Sequence, residues 1–393
     1  MSDRKEQFLT LQGQTSPYPY LIDVDRAEGL YIWDKSGKRY MDMIAGVAVN
    51  NIGHNHPKVV EAIKQQVDKH LHVMVYGEYI QDSQLALARN LASVLPDNLH
   101  CSYIVNSGTE ANEAAVKLAK RYTGRQEIVS CRQSYHGSTH GSLSVTGNET
   151  KQSGFKPLLP KIQFIEFNNI DSLDVITEQT AGVILETIQG DAGLIKPTQE
   201  FIEAVRRKCD ETGALLIFDE VQVGMGRTGK FFAFEHYGVI PDILTLGKAL
   251  GGGMPIGAFI SSYKIMNTLT HNPVLGHITT FGGHPVICAA ANACIDVLKE
   301  EDWISQAESK GQLLENLLTD APGVLEIRRA GLFFAIELGS VERVQAVVEK
   351  CLKQGLIGFW FLSTPTAFRL SPPLSITENE LKEAGKIIID CLT

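Results

Sequence analysis

The sequence has 393 residues, which is long enough for two or three domains of ordinary size. Apolar residues make up 44% and charged residues 21%, a composition typical of a globular protein and unlike that of a disordered or fibrous chain. The formal net charge of -9 excludes a strongly basic chain, so the composition gives no support for binding nucleic acid.

The seven cysteines are scattered and form no C-x-x-C pair, which argues against a disulfide framework and against a zinc ribbon. No metal site is expected, because two H-x-H pairs lack an evident third ligand: His54 with His56, and His70 with His72. No run of about 18 apolar residues and no apolar segment after the first residues is present, so neither a membrane span nor a signal peptide is expected. A reducing cytoplasm is the expected compartment.

A glycine between two helix-capping residues introduces a predicted helix at residues 107–120. Ser107 and Thr109 are typical helix-start residues, and Glu110 suits the first turn. The free N–H groups and the positive dipole end of such a helix would hold a phosphate, and Gly108 would let the backbone approach it closely. An ordinary capped amphipathic helix also accounts for the pattern.

The middle of the chain predicts a β-α-β unit. Residues 181–186 and 214–218 are apolar runs typical of buried strands, and residues 199–211 have the periodicity of a helix. Because the crossover of such a unit is right-handed, the two strands should be parallel. Glu186 and Asp219 should therefore lie at the same, carboxyl-terminal edge of the sheet.

Lys248 follows a third apolar run and precedes three glycines, so it should lie at the same edge. Ligands of open α/β sheets bind there. A neutral amine condenses with an aldehyde, and a carboxylate such as Asp219 beside a pyridine nitrogen keeps that ring protonated as an electron sink. The arrangement predicts a Schiff-base cofactor site, although each residue taken alone also suits a structural role at a strand end.

Residues 224–229 fit the pattern G-x-G-x-x-G and nearly fit a P-loop. Phe231 stands where a P-loop needs Ser or Thr, and residues 219–223 separate the strand from the glycines. A nucleotide site is therefore not expected.

The C-terminal part predicts a smaller α+β domain. Its helices are expected at residues 300–318, 341–353 and 377–391, and its short strands at 324–328 and 333–338. We expect residues 1–45 to pack with this domain, residues 46–285 to form the large domain, and residues 286–393 to form the small one.

Five motifs, taken in their order and spacing, resemble those of the class III aminotransferases, and within that family the acetylornithine and ornithine aminotransferase branch. The resemblance runs from Asp34 to the Arg-Leu-Ser-Pro-Pro segment that begins at Arg369. The motifs are Ser-Gly-Thr-Glu-Ala-Asn-Glu at 107, Tyr-His-Gly at 135, Asp-Glu-Val-Gln at 219, Gly-Lys-Ala-Leu-Gly-Gly-Gly at 247 and Thr-Thr-Phe-Gly-Gly-His-Pro at 279. The resemblance implies a fold type I enzyme of the α/β class: a large domain with a mostly parallel seven-stranded sheet, and a smaller α+β domain.

The resemblance also implies roles for residues that match the motifs. Lys248 would bind pyridoxal 5'-phosphate as a Schiff base and afterwards move the substrate's α-proton. Asp219 would bind the pyridinium nitrogen, and Gln222 would bind the phenolic oxygen of the ring. Val221 and Tyr135 would pack on opposite faces of the ring, although both also suit a hydrophobic core.

The cofactor phosphate would be shared between two chains. Ser107, Gly108 and Thr109 would hold it from one chain, and Thr280 would reach it from the other. The resemblance therefore implies an obligate homodimer with active sites at the interface. His136 would adjoin the ring, and a purely structural role suits it equally well.

Substrate recognition departs from the family pattern. Ser138 stands where ornithine-type enzymes have an arginine for the donor's α-carboxylate, and a neutral hydroxyl cannot replace a bidentate guanidinium. Arg369 matches a second arginine, which takes the carboxylate of 2-oxoglutarate or pyruvate and can pair with a glutamate at the Glu186 position. Thr279 is assigned to the substrate side of the site. Residues 187, 191 and 192 also depart from the pattern, so the shape of this loop is not predicted.

The sequence therefore predicts a pyridoxal-phosphate-dependent ω-aminotransferase that works by ping-pong half-reactions. The amino group would pass from a primary amine or ω-amino donor to pyruvate or 2-oxoglutarate. The alternative is an N-acetylornithine or ornithine aminotransferase with 2-oxoglutarate. A decarboxylase or aminomutase on the same fold is a further possibility, as is a non-catalytic binding protein, which the intact Lys248, Asp219 and Gln222 disfavour.

Overall fold

The computed structural model describes residues 4–393. The α-helices of this part of the chain are α1 (Arg4–Leu11), α2 (Ala45–Ala48), α3 (Pro57–Lys69), α4 (Asp82–Val94), α5 (Gly108–Thr123), α6 (His140–Ser144), α7 (Glu149–Gln152), α8 (Gln199–Thr212), α9 (Tyr263–Met266), α10 (Pro285–Glu300), α11 (Trp303–Leu318), α12 (Val341–Lys353) and α13 (Glu378–Leu392). The strands are β1 (Val24–Glu28), β2 (Tyr31–Asp34), β3 (Arg39–Asp42), β4 (Cys101–Val105), β5 (Glu127–Cys131), β6 (Ile162–Ile165), β7 (Thr180–Glu186), β8 (Leu215–Asp219), β9 (Ile243–Gly247), β10 (Gly257–Ser261), β11 (Glu326–Ala330), β12 (Phe333–Glu337), β13 (Leu356–Ile357), β14 (Phe359–Trp360) and β15 (Ala367–Leu370).

The largest sheet has seven strands in the order β4-β10-β9-β8-β7-β5-β6. β10 runs antiparallel to β4 and β9, and the other neighbours pair in parallel. Every residue of β7, β8, β9 and β10 is buried, as expected for strands covered on both faces of the sheet. The predicted α/β class with a mostly parallel seven-stranded sheet is confirmed.

The predicted β-α-β unit consists of β7, α8 and β8, and its two strands pair in parallel. α8 begins where the Thr198 hydroxyl accepts a hydrogen bond from the backbone N–H of Phe201. The helix ends at Gly213, whose left-handed φ of 71° suits glycine. Glu186 lies directly opposite Asp219 in the register of the pair. Both carboxylates therefore reach the same edge of the sheet, as predicted.

Two smaller sheets lie outside the central one. The order β11-β12-β15-β14 forms a sheet against which α11 and α12 pack, and the order β1-β2-β3-β13 joins N-terminal strands to a C-terminal strand. The predicted C-terminal helices correspond to α11, α12 and α13, and the predicted strands to β11 and β12. β13, β14 and β15 were not predicted, because strands of two to four residues carry little periodicity. The domain boundaries stay a prediction; α10 spans the second boundary and packs against α3 and α4.

The glycine-rich segment at residues 224–229 follows β8 and carries a fully buried arginine, Arg227. Its guanidinium donates hydrogen bonds to the carbonyl oxygens of Leu332 at 3.0 Å and Pro372 at 2.5 Å. It also donates to the side-chain oxygen of Asn51. The segment therefore ties the central sheet to N-terminal and C-terminal parts of the chain.

No α-helix within residues 4–393 is both long and apolar enough to cross a membrane. The same residues contain no group of three or more His, Cys, Asp or Glu side chains placed to hold a metal ion. The seven cysteines are free thiols, and all of them except Cys101 are buried.

Candidate active site

One cavity of about 380 Å³ opens at the carboxyl-terminal edge of the central sheet. All of the predicted site residues except three line this cavity: Gly108, Thr109, Tyr135, His136, Ser138, Glu186, Asp219, Val221, Gln222, Lys248 and Arg369. Sequence reasoning assigned no role in the site to the other lining residues: Val47, Asn112, Gly137, Asp191 and Leu362. The cavity brings an amine, two carboxylates and a guanidinium into one enclosed space.

Tight packing of glycines brings the start of α5 to the ends of β9 and β10. A side chain at Gly247 would lie 3.2 Å from the backbone of Gly108. One at Gly257 would collide with the carbonyl oxygen of Ser107. The close approach therefore excludes a side chain at position 257 and leaves little room for one at position 247. It places the free N–H groups of the helix start beside Lys248.

Lys248 stands immediately after β9 in a left-handed backbone conformation, with a φ of 43°. A non-glycine residue in this region stores strain, which is characteristic of functional positions. Its Nζ donates a hydrogen bond of 2.6 Å to Oε1 of Gln222. Burial, reinforced by the positive charge of Arg369, lowers the pKa of Lys248 to about 8. Near neutral pH a larger fraction of this amine is therefore neutral and nucleophilic than of a lysine with the usual pKa of about 10.5.

Asp219 is buried, and three donors fix its carboxylate. Oδ2 accepts a hydrogen bond of 2.7 Å from Nδ2 of Asn112 and lies 2.7 Å from Nδ1 of His136. Oδ1 accepts a hydrogen bond of 3.0 Å from the backbone N–H of Val221. The Thr245 hydroxyl donates to Oδ1 of Asn112 at 2.7 Å, which sets the orientation of that amide. The negative charge is thus held rigidly at the floor of the cavity.

Glu186 is held by backbone groups rather than by a cation. Oε1 accepts a hydrogen bond from the N–H of Tyr135, and Oε2 accepts one from the N–H of Gly190, both at 2.9 Å. Burial raises the pKa of Glu186 to about 7. Within residues 4–393 no ion pair joins this carboxylate to Arg369, so the pairing that the family pattern allows is not formed here.

Arg369 lies on β15 and is buried, with 6% of the residue exposed. Its guanidinium carbon lies 5.2 Å from the ring centroid of Phe333 and 5.3 Å from that of Phe361. Nε and Nη2 are buried without a hydrogen-bond partner. Burial lowers the pKa of Arg369 to about 10. The guanidinium is thus a buried cation with unused donors facing the cavity.

Ser138 is exposed at the mouth of the cavity, and its hydroxyl lies 3.0 Å from that of Tyr135. Three predicted site residues do not line the cavity. The Ser107 side chain caps α5 by accepting from the N–H of Glu110, and the Thr279 hydroxyl accepts from Nδ2 of Asn106 at 2.8 Å. Thr280 is exposed.

The comparisons with known proteins agree with this geometry. The family profile "Aminotransferase class-III" matches residues 13–392. The acetylornithine aminotransferase of Methanopyrus kandleri is 40% identical over 367 residues, which cover 93% of this chain and 92% of the relative. The ornithine aminotransferase of Toxoplasma gondii superposes with a TM-score of 0.90 at 29% identity, covering 100% of this chain and 95% of that one. An (S)-enantioselective omega-transaminase from Thermomicrobium roseum gives a TM-score of 0.90 at 29% identity, covering 99% and 97%.

The chain belongs to the class III aminotransferases, enzymes of fold type I that transfer amino groups and use pyridoxal phosphate. Within that family it is similar to acetylornithine aminotransferases. The predicted family, fold class, enzyme class and cofactor are confirmed.

The lining residues fit this cofactor. Nε2 of Gln222 is buried without a partner, as expected of a donor that awaits the ring oxygen. The Asp219 carboxylate suits a protonated ring nitrogen, and Val221 and Tyr135 offer apolar surfaces for two ring faces. The N-terminus of α5, with Gly108 and Thr109, suits a phosphate.

Proposed function

We propose that the enzyme transfers the distal amino group of an N-acetylornithine-like or ornithine-like donor to 2-oxoglutarate. The observation that carries this proposal is the buried, unpaired guanidinium of Arg369 in the same cavity as the amine of Lys248. A buried cation with unused donors favours a carboxylate-bearing substrate. The name of a relative that is 40% identical over most of the chain supports the choice of donor.

Pyridoxal phosphate, when bound, supplies an electrophilic carbonyl carbon and an electron sink. In our proposal the neutral amine of Lys248 would hold the cofactor covalently and would carry a proton to or from the substrate carbon. The fixed charge of Asp219 would keep a proton on the ring nitrogen, and Gln222 would donate to the ring oxygen. Val221 and Tyr135 would pack on the two faces of the ring.

The phosphate is proposed to bind at the N-terminus of α5. Gly108 and Thr109 lie at this helix start and line the cavity. The Thr109 hydroxyl lies 2.9 Å from that of Thr139 and 2.5 Å from that of Ser142, which fixes its direction. His136 acts through Asp219, because its Nδ1 faces that carboxylate.

The acceptor is proposed to bind through Arg369. Its Nε and Nη2 offer two parallel donors, the arrangement that matches a carboxylate. The Phe333 and Phe361 rings beside it exclude water and strengthen the attraction. Glu186 lines the same cavity and would border the space for the keto acid.

A second candidate function is transfer from a primary amine without a carboxylate. Ser138 favours this function, because it places a neutral hydroxyl where an arginine would hold the donor's carboxylate. The hydroxyls of Ser138 and Tyr135 share one hydrogen bond, so the pair nevertheless offers one remaining neutral donor to such a carboxylate. We therefore rank the carboxylate-bearing donor first.

A donor panel on the wild-type enzyme distinguishes the two candidates. With 2-oxoglutarate or pyruvate as acceptor, we expect kcat/KM for N-acetylornithine to exceed that for a diamine or an arylalkyl amine by about fivefold, since one neutral hydrogen bond contributes roughly 1 kcal/mol. Ser138→Arg should raise kcat/KM for N-acetylornithine further and leave the amine values nearly unchanged. A wild-type preference for the amine would instead support the second candidate.

The pH dependence of cofactor capture tests the state of Lys248. A neutral amine is needed for attack, and burial favours the neutral form, so its pKa lies near 8 rather than near the usual 10.5. The rate of covalent capture by apoenzyme should rise as the pH approaches about 8 and level off above it. Stopped-flow absorbance with borohydride trapping measures this rate. A rate that still climbs above pH 10 would contradict the lowered pKa.

We further propose a homodimer that shares its active sites. Segments 71–80 and 274–281 expose large apolar side chains, which a second copy would cover: Leu71, Tyr79, Ile80, Val274 and Phe281. Thr280, exposed in the same region, would then reach the phosphate of the partner.

We also propose a reducing cytoplasm as the compartment, which the seven free cysteines support.

A charge at the proposed interface should separate the subunits. Ile80→Asp combined with Val274→Asp is expected to produce a monomer in multi-angle light scattering, because each buried carboxylate would lack a partner. The monomer should also bind pyridoxal phosphate at least about tenfold more weakly, since it lacks Thr280 of the second chain. Leu325→Asp is the control, because Leu325 is another exposed large apolar residue outside these segments, and it should leave the dimer intact.

A further inference from the structure

Asp191 lines the cavity near Arg369, and its carboxylate is fully engaged by neighbours on other segments. Oδ2 accepts hydrogen bonds from Nζ of Lys151 and from the Ser363 hydroxyl, the latter at 2.6 Å. Oδ1 accepts one of 3.1 Å from the backbone N–H of Leu362. The carboxylate is therefore held on one side of the cavity by three donors.

Lys151 is itself held in place. It lies on α7, and only 17% of its side chain is exposed, against 10% for Asp191. Its Nζ lies 4.5 Å from the ring centroid of Tyr135, close enough for a cation–π contact. An ion pair with so little exposure is screened weakly, so its geometry is more strongly fixed than that of a surface pair.

Arg369 has no acidic partner in spite of two nearby carboxylates. Asp191 and Glu186 are the acidic groups whose charges act on it, yet within residues 4–393 no ion pair joins it to either. Glu186 is engaged by backbone N–H groups and Asp191 by Lys151. An unpaired guanidinium in a cavity of low dielectric would attract any carboxylate free to move.

We propose that Lys151, assisted by Ser363, holds the Asp191 carboxylate away from Arg369, so that the guanidinium stays open to the keto acid. Lys151 is thus a positioning residue for the acceptor half-reaction. The inference rests on the acceptor role of Arg369 in the proposed function. Without Lys151, Asp191 would carry an uncompensated charge in the cavity and would compete with the acceptor's carboxylate, whether by pairing with Arg369 or by repulsion.

The test compares the two half-reactions of the holoenzyme in matched variants. Lys151→Met should raise the KM for 2-oxoglutarate by at least about tenfold with a smaller change in kcat. The single-turnover half-reaction with an arylalkyl amine should change by less than about threefold, since that donor has no carboxylate. Adding Asp191→Asn to Lys151→Met should return the KM to within about threefold of wild type, because the competing charge is gone.

Two further variants test whether the change in KM comes from the loss of contacts to Asp191. Ser363→Ala removes one hydrogen bond to Asp191 and should shift the KM for 2-oxoglutarate in the same direction by a smaller factor. Lys156→Met is the matched control, because Lys156 forms an exposed ion pair with Glu149 and should leave both half-reactions unchanged.

Three outcomes would overturn the inference. A higher KM for N-acetylornithine that Asp191→Asn does not reverse would mean that Lys151 binds the donor directly. An equal loss in both half-reactions would mean that Lys151 only supports the local fold. An unchanged KM for 2-oxoglutarate in Arg369→Ala would refute the proposed acceptor site and this inference together. If Arg369→Ala raises this KM and Lys151→Met does not, the inference alone is refuted.

Discussion

Replacing Lys248 with alanine is expected to lower kcat by about four powers of ten or more. The substitution removes the residue that is proposed both to hold the cofactor and to transfer the proton. Wild-type enzyme should be yellow with bound pyridoxal phosphate, and Lys248→Ala should lose the imine absorption. Borohydride reduction of the wild type should fix the added mass on the peptide that contains Lys248.

The control for this prediction is Lys264→Ala, an exposed lysine on α9. Its activity and absorption should match those of the wild type. A colourless wild-type protein that gains no mass after incubation with pyridoxal phosphate and borohydride would contradict the role of Lys248. Recovery of the mass on another lysine would move the role to that residue.

The edge of the sheet that carries the site was predictable because it depends on local patterns. Apolar runs mark the strands, and two strands joined through a helix in one sheet run parallel. These two rules suffice to bring Glu186, Asp219 and Lys248 to one edge, and the register of β7 and β8 places the first two directly opposite each other. The family resemblance then supplied Gln222 and Arg369, which no periodicity would identify.

The network around these residues was not predictable, because it joins segments far apart in the sequence. Asn112 on α5 reaches Asp219 at the end of β8, and Lys151 on α7 reaches Asp191 after β7. Asn112 lay inside a recognised motif, and Asp191 lay at a position that departs from the family pattern. The sequence gives the identity of each residue, but its hydrogen-bond partner depends on how the chain folds.

The same limit applies to Thr279. Its assignment to the substrate side of the site stays a prediction, and in this chain its hydroxyl accepts a hydrogen bond from Asn106, which follows β4. A threonine hydroxyl serves a neighbouring amide as well as it serves a ligand, and sequence alone does not choose between the two.

Replacing Asp219 with asparagine is expected to lower the rate of the chemical step by several powers of ten, with about 1.4 kcal/mol of barrier for each tenfold loss. The substitution removes the negative charge that keeps the ring nitrogen protonated. If the side-chain oxygen of the introduced asparagine still accepts from the N–H of Val221, its new N–H₂ group faces the donors of Asn112 and His136. Donors would then face donors, and those two hydrogen bonds would be lost. Asn112 cannot turn to accept without losing its hydrogen bond from Thr245.

Single-turnover absorbance with N-acetylornithine measures the step, and a cofactor titration separates weaker binding from slower chemistry. Glu220→Gln is the matched control, since it removes another buried carboxylate one residue along. The Glu220 carboxylate accepts from the N–H groups of Ala233 and Phe234 and does not line the cavity. The rate of the chemical step in Glu220→Gln should stay within about tenfold of wild type, because the lost charge does not face the ring. Equal losses in both variants would mean that Asp219 acts through folding rather than through its charge, and a near wild-type rate in Asp219→Asn would remove it from the chemistry.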